Sequence, residues 1–307
     1  MDSRFLGLLA DAAATLARLD ERLSSAPACV SEGWLARALI GEAVASARLN
    51  GDIADAADLT LLDADAIDRV PGPALGQAAV ILAMLRQAAS RSPRQLFTPR
   101  RLAAAVRLRQ AGDRSVPVDL PRWLQDRLPA PGAALAALGR ALDPAAVASW
   151  TRLPALLGAA ALVAHWQASG AAHDVGAAAG RALAAVWPAR AGISCGMRLM
   201  PATGFLGHAA AWLAACARSG AQGLGLHARL SAARALLLER AEPRRSTSRL
   251  PVLASMLTAR PAVSAAKAAA GIGISPQAAR TMLEELHGRG LIRELTGRES
   301  FRVYGLI

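Results

Sequence analysis

Residues 263–304 limit what this chain can fold into more than any others. They read VSAAKAAAGIGISPQAARTMLEELHGRGLIRELTGRESFRVY. Ser264 can cap a short helix running through Lys267 to Ala270. Gly271 and Gly273 then supply the positive φ angles that a tight turn requires. Ser275-Pro276 marks a second helix start, with the serine as N-cap and proline at the first helical position. Ala279, Met282, Leu283 and Leu286 recur at helical spacing and form a core face. Gly288 and Gly290 stop that helix. Leu291-Ile292 begins a buried strand, Thr296-Gly297-Arg298-Glu299 is a hairpin tip, and Phe301, Val303 and Tyr304 return as a second strand.

Short helix, turn, longer helix and basic hairpin are the parts of a winged helix-turn-helix, in that order. Such a module places one helix in the DNA major groove. Gln277, Arg280 and Thr281 fall on the face opposite the core, and Gln and Arg are the types that read A and G edges. Lys267, Ser275, Arg298 and Arg302 complete the expected contact set, the two wing arginines meeting phosphates or the minor groove. From Arg244 to the end there are ten Lys/Arg and four Asp/Glu, so about a fifth of the chain carries half of its net charge of +12. A basic surplus favours a polyanionic partner. A GC-rich genome writing Arg and Ala would produce part of the same bias. The stretch resembles the winged helices that end many Fic-family proteins and many bacterial regulators. That resemblance implies double-stranded DNA as partner, and reading by so short a helix implies a homodimer.

The 307 residues suffice for two cores, and 53% are hydrophobic but only 4% aromatic. Much of the apolar content is alanine, which favours helix and buries little area per residue. The expected class is therefore mainly α: an all-α bundle over 1–242, then the small winged helix-turn-helix over 243–307. A stripe of Phe5, Leu8, Leu9, Ala12, Leu16, Leu19 and Leu23 predicts a first helix, broken at Pro27. Ser31 is the expected cap of a second helix that stops at Asn50-Gly51. The acidic stretch 52–70 reads as a solvated loop with a short strand or turn of helix, and Pro71 and Pro73 open a helix to about Ser90. Residues 91–130 are basic and interrupted by proline, as in a solvated connection. Further helices are expected over 144–166, 176–187, 205–219 and 224–240, followed by a basic linker at 243–249. Cys29, Cys195 and Cys216 are odd in number and widely spaced, which fits a reducing cytoplasm. No secretory leader pattern is read, and the run Leu153 to Trp166 is too short for a membrane span, so no membrane partner is expected.

The segment Gly41-Glu42-Ala43-Val44-Ala45-Ser46-Ala47-Arg48-Leu49-Asn50-Gly51 resembles a segment of Fic-family N-terminal regions. In that family a Ser-x-x-x-Glu-Gly helix is inhibitory, its Glu pairing with an active-site Arg. Asn50 stands where the Glu would be, so that ion pair cannot form. The family's transferase motif, His-Pro-Phe-x-(Asp/Glu)-Gly-Asn-Gly-(Arg/Lys), has its nearest match at residues 173–181. His173, Gly180 and Arg181 hold the motif's spacing. Ala177 stands at the acid that would hold Mg²⁺, and an alanine binds no metal. The resemblance thus implies a Fic-like scaffold with a relic nucleotide site, no catalysis and no cofactor. It extends to a poorly characterised, often plasmid-borne bacterial group.

Other chemistry is poorly supported. His165, His208, His227 and His287 form no ligand pair at helical spacing, and no phosphate-binding glycine loop is present. Three functions remain: a transcriptional or plasmid- or phage-associated regulator; an AMP or phosphate transferase of Fic type using ATP; and an antitoxin-like or assembly factor whose winged helix docks on protein.

Overall fold

The computed structural model describes residues 3–67, 71–98, 102, 131–200, 209–240, 249–298 and 301–306. Within them the chain is mainly helical, with a small three-stranded antiparallel sheet near its C-terminus. The helices are α1 (Ser3–Ser25), α2 (Ala28–Leu49), α3 (Ala56–Asp63), α4 (Pro73–Ser90), α5 (Pro93–Leu96), α6 (Pro131–Ala141), α7 (Pro144–Thr151) and α8 (Ala155–Ala168). A π-turn (Ala172–Gly176) leads into α9 (Ala177–Arg190), and α10 (Ala209–Arg240) follows. The last part is α11 (Leu250–Ala259), β1 (Val263–Ser264), α12 (Ala265–Ile272), α13 (Pro276–Gly288), β2 (Ile292–Glu294) and β3 (Val303–Leu306).

Several boundaries differ from the sequence expectation. Helix α2 begins at Ala28, three residues before Ser31. The Ser31 hydroxyl donates instead to the Leu23 carbonyl at 2.6 Å, closing the end of α1. The acidic stretch contains a two-turn helix, α3, whose cap Asp55 accepts from the Ala57 amide. The helices expected over 205–219 and 224–240 are, from Ala209 on, one helix, α10, running through Gly220, Gly223 and Gly225; residues 205–208 lie outside the described residues. Gly220 is there for close approach: a Cβ would lie 2.7 Å from Thr15 Cγ2. The linker at 243–249, apart from Arg249, lies outside the described residues, as does the basic connection at 91–130 beyond residue 98, apart from Leu102; its described start contains α5.

The chain divides into two compact units, and α1, α2 and α10 contribute residues to both. The first comprises residues 1–21, 41–54 and 71–222. Its centre is the pair α8 and α9, which pack closely because Gly158 and Gly180 lack side chains. A Cβ on Gly158 would meet the Trp187 Nε1 at 2.5 Å, and one on Gly180 would meet the Trp166 ring at 2.6 Å. Trp150, Trp166, Trp187 and Trp212 are all buried, and the Trp212 indole donates to the Leu156 carbonyl at 2.8 Å. These tryptophans supply the bulk that an alanine-rich core otherwise lacks.

The second unit gathers 22–40, 55–70 and 223–307, so the C-terminal module packs with three segments from earlier in the chain. Its core joins Leu237 of α10 to Leu253, Leu257, Ile272, Leu283, Leu286, Ile292 and Tyr304. The sheet order is β1-β3-β2, with Val263 opposite Tyr304 and Ile292 opposite Leu306. Helix α11 and strand β1 lie ahead of the expected parts and complete the helix–strand–helix–helix–hairpin order.

Candidate nucleic-acid interface

The two central helices are set by their ends. Ser264 accepts from the Lys267 amide and caps α12. Gly273 closes that helix at φ 69°, in the left-handed region. Gly271 does not turn the chain; it sits inside α12, where a Cβ would lie 1.9 Å from the Met256 Cε of α11. Ser275 then accepts from the Ala278 amide, and Pro276 opens α13. Ala279, Leu283 and Leu286 turn inward. That leaves Ser275, Gln277, Ala278, Arg280, Thr281, Glu284 and Glu285 exposed. The expected reading face is thus open to solvent. Thr281 spends its hydroxyl hydrogen on the Gln277 carbonyl at 3.1 Å. Arg280 makes no hydrogen bond or ion pair among the described residues.

The wing is a braced turn. The Glu294 carboxylate accepts from the Thr296 and Gly297 amides, each at 2.8 Å, and from the Thr296 hydroxyl. Burial alone would raise the pKa of Glu294. The Thr296 hydroxyl and the two amides outweigh that, aided by Arg302, and hold it below its ordinary value. Gly297 adopts φ 62°, which only glycine takes without cost. Arg302 donates through Nε to the Arg298 carbonyl at 3.1 Å and reaches within 3.9 Å of the Glu284 carboxylate on α13. One arginine thus ties the wing to the exposed side of α13. Phe301 is not part of the second strand: β3 begins at Val303, and Phe301 is 80% exposed with φ 56°.

Two expected DNA contacts are engaged elsewhere. Lys267 donates to Asp65 at 2.8 Å and to the Ala64 carbonyl at 3.1 Å. Arg298, although exposed, reaches the Ala66 carbonyl at 3.5 Å. Behind them Ala64, Ala66, Ala262 and Val303 form a small apolar seam with Leu61 and Leu295. The acidic stretch is therefore partly a docked element of this unit, not simply a solvated loop.

The anchor that sequence reading missed is Arg37 of α2. Its guanidinium donates to the carbonyls of Thr258 at 2.9 Å, Arg260 at 3.0 Å and Leu257 at 3.4 Å. These lie at the C-terminal end of α11, where carbonyls lack helical partners and a cation is favoured. Burial pushes the Arg37 pKa down to about 10, which still leaves it charged at neutral pH. Gly33, one turn earlier, lets the helices touch: a Cβ would lie 2.0 Å from the Thr258 oxygen. No local sequence signal links Arg37 to residue 258.

The residues of the expected relic site lie on adjoining elements, the π-turn and α9. His173 is exposed in the π-turn, and Gly180 lies against Trp166. Arg181 is buried and donates to the Ser46 hydroxyl and carbonyl, each at 3.1 Å. Burial lowers the Arg181 pKa, and the charge of Glu42 partly restores it. Among the described residues no group of three His, Cys, Asp or Glu side chains could hold a metal ion. None of the described helices is long and apolar enough to cross a membrane.

Comparison with known proteins matches this geometry. Residues 250–307 match the model of a helix-turn-helix DNA-binding domain family. The match begins at the first residue of α11 and takes in the whole winged helix. The chain is also similar to an uncharacterised protein, y4cF, of Sinorhizobium fredii. They are 38% identical over 85 residues, 28% of this chain and 21% of that protein, so the chain spans about a fifth of that relative's length.

Proposed function

We propose that this chain is a DNA-binding regulator, acting as a homodimer that inserts α13 into the major groove of duplex DNA. The observation that carries this reading is the exposed face of α13, with Gln277 and Arg280 open to solvent, inside a segment that matches a DNA-binding domain family. Gln277 lies in the first turn of α13 and Arg280 one turn further on, which suits them to base edges. Arg298 and Arg302 flank the groove and take phosphates. Dimerisation follows from the few base pairs one helix can read.

The N-terminal region is read as a Fic-like scaffold without transferase chemistry. Supporting this, Arg181 at the last position of the motif bonds Ser46 of the inhibitory-type segment, so the two stretches that resemble the family meet. The residues present do not fit Mg²⁺ and ATP, because Ala177 stands where the metal's carboxylate belongs.

The test is selection of duplexes from a random-sequence pool by the full chain, followed by gel shift. Gln277→Ala and Arg280→Ala should abolish the selected binding while leaving far-UV circular dichroism unchanged. Full retention of binding by both variants refutes the reading and favours a winged helix that docks on protein. Transfer of label from ATP in the presence of Mg²⁺, lost in His173→Ala, would refute the catalysis-free scaffold.

A further inference from the structure

Two unfavourable features meet at Phe301. A large aromatic ring is left 80% exposed, and its backbone sits at φ 56°, a region that bulky L residues rarely adopt. The fold gains nothing visible from either. Had the chain stayed extended, Phe301 and Val303 would have shared one sheet face, and Val303 is buried. The left-handed kink removes the ring from that face. Strain held at an exposed position points to what the position does when bound.

The surroundings identify the partner. Arg302, the next residue, closes the turn onto the Arg298 carbonyl and approaches Glu284 on the open face of α13. Glu294 and Gly297 fix the opposite limb. Phe301 therefore stands next to Arg302, with Arg298 three residues earlier, on the side of the module that carries α13. An apolar ring beside a cation suits a surface that is anionic outside and apolar within. The minor groove is such a surface, with phosphates at its rims and deoxyribose and base faces in its walls.

We propose that Phe301 is the wing's minor-groove contact, its ring packing on deoxyribose or wedging at a base step beside the site read by α13. This rests on the DNA-binding reading above. Arginines 298 and 302 supply charge that is blind to sequence, whereas the ring favours steps that unstack easily. Phe301 thus adds a preference at positions that α13 never reaches.

The experiment uses the full chain and a fluorescein-labelled duplex selected from a random pool by the wild type, with affinity measured across a salt series. Phe301→Ala is expected to weaken binding about tenfold, the scale of losing one aromatic contact to a base. The slope of log affinity against log salt should stay unchanged, because an apolar contact releases no counterion. Arg298→Ala should instead make that slope shallower by about one. Phe301→Trp should restore wild-type affinity. Phe301→Asn, which tolerates the left-handed turn, should bind as weakly as Phe301→Ala. Affinity of Phe301→Ala within twofold of wild type overturns the proposal, as does a slope that flattens as in Arg298→Ala. Conversion of a dimer to a monomer by Phe301→Ala in sedimentation overturns it in favour of a second copy as the ring's partner. If the wild type selects no duplex, the DNA-binding reading falls first and takes this proposal with it.

Discussion

Replacing Arg37 by alanine tests how the winged helix is held. The side chain reaches three carbonyls at the end of α11 from a helix more than 200 residues away in sequence. A hydrogen bond from a charged donor contributes roughly 1.5–3 kcal/mol when its loss leaves the acceptor unsatisfied. The Thr258 carbonyl meets that condition best, being covered by Gly33. The Arg260 carbonyl is exposed and water can replace the donor there, and the 3.4 Å contact to Leu257 is the weakest. A cation at a helix C-terminus adds about 0.3–1 kcal/mol. Relief from burying the guanidinium, visible in its lowered pKa, offsets part of this. The net expectation for Arg37→Ala is a loss of about 2–3 kcal/mol. Arg37→Lys should lose roughly half as much, since one ammonium cannot fork across three carbonyls. Urea unfolding followed by far-UV circular dichroism measures both. If the two units unfold in separate transitions, only one should shift. A loss under about 0.5 kcal/mol for Arg37→Ala, the range of ordinary surface substitutions, would refute the capping role.

Other perturbations probe single features. Gly33→Ala places a methyl group against backbone, not a flexible side-chain end, so it should cost at least about 2 kcal/mol and lower the same urea midpoint. Cys195 is exposed, whereas burial pushes the Cys216 thiol up to about 12. In Ellman's assay Cys195 should react at once and Cys216 only after unfolding. Glu294 has a depressed pKa, so its contribution to the wing is present above the ordinary carboxylate range and lost as pH falls through its folded value. Acid should therefore lower the protection factors of the Thr296 and Gly297 amides in the wild type, and Glu294→Gln should show low protection at every pH.

What the sequence made legible was local. Ser264, Ser275-Pro276, Gly273 and the Ala279–Leu283–Leu286 stripe each act through neighbours within a turn or two, and each sits where the pattern put it. Gly271 was misread because a glycine that permits close packing looks the same in sequence as one that permits a turn. Ser31 was misread because its hydroxyl has a partner at the end of the preceding helix, which competes with capping. Phe301 has the alternation of a strand residue, and only the hairpin's geometry shows that the strand starts later. Arg37 and Asp65 act on residues some 200 positions away, where no periodicity or spacing can reach. The exposed face of α13 was legible for the same reason its core face was: one helical period fixes both.

The same long-range contacts alter what the module's charge can do at DNA. Residues 250–307 contain seven Lys/Arg. Lys267 is committed to Asp65, and Arg289 pairs with Glu285 one turn back in α13. Arg260 stands at the end of α11 that Arg37 holds. Arg280, Arg293, Arg298 and Arg302 are exposed, although Arg298 also reaches the Ala66 carbonyl at 3.5 Å and Arg302 lies 3.9 Å from Glu284. Each phosphate neutralised contributes about −0.9 to the slope of log affinity against log salt. With Arg280 on base edges, the other three give a slope of about −3 for each bound copy of the module. Lys267→Ala should leave that slope nearly unchanged, and Arg280→Ala should abolish specific binding. A slope flatter than about −1 would mean that the exposed arginines do not meet phosphates, and the interface would then have to be sought on another face.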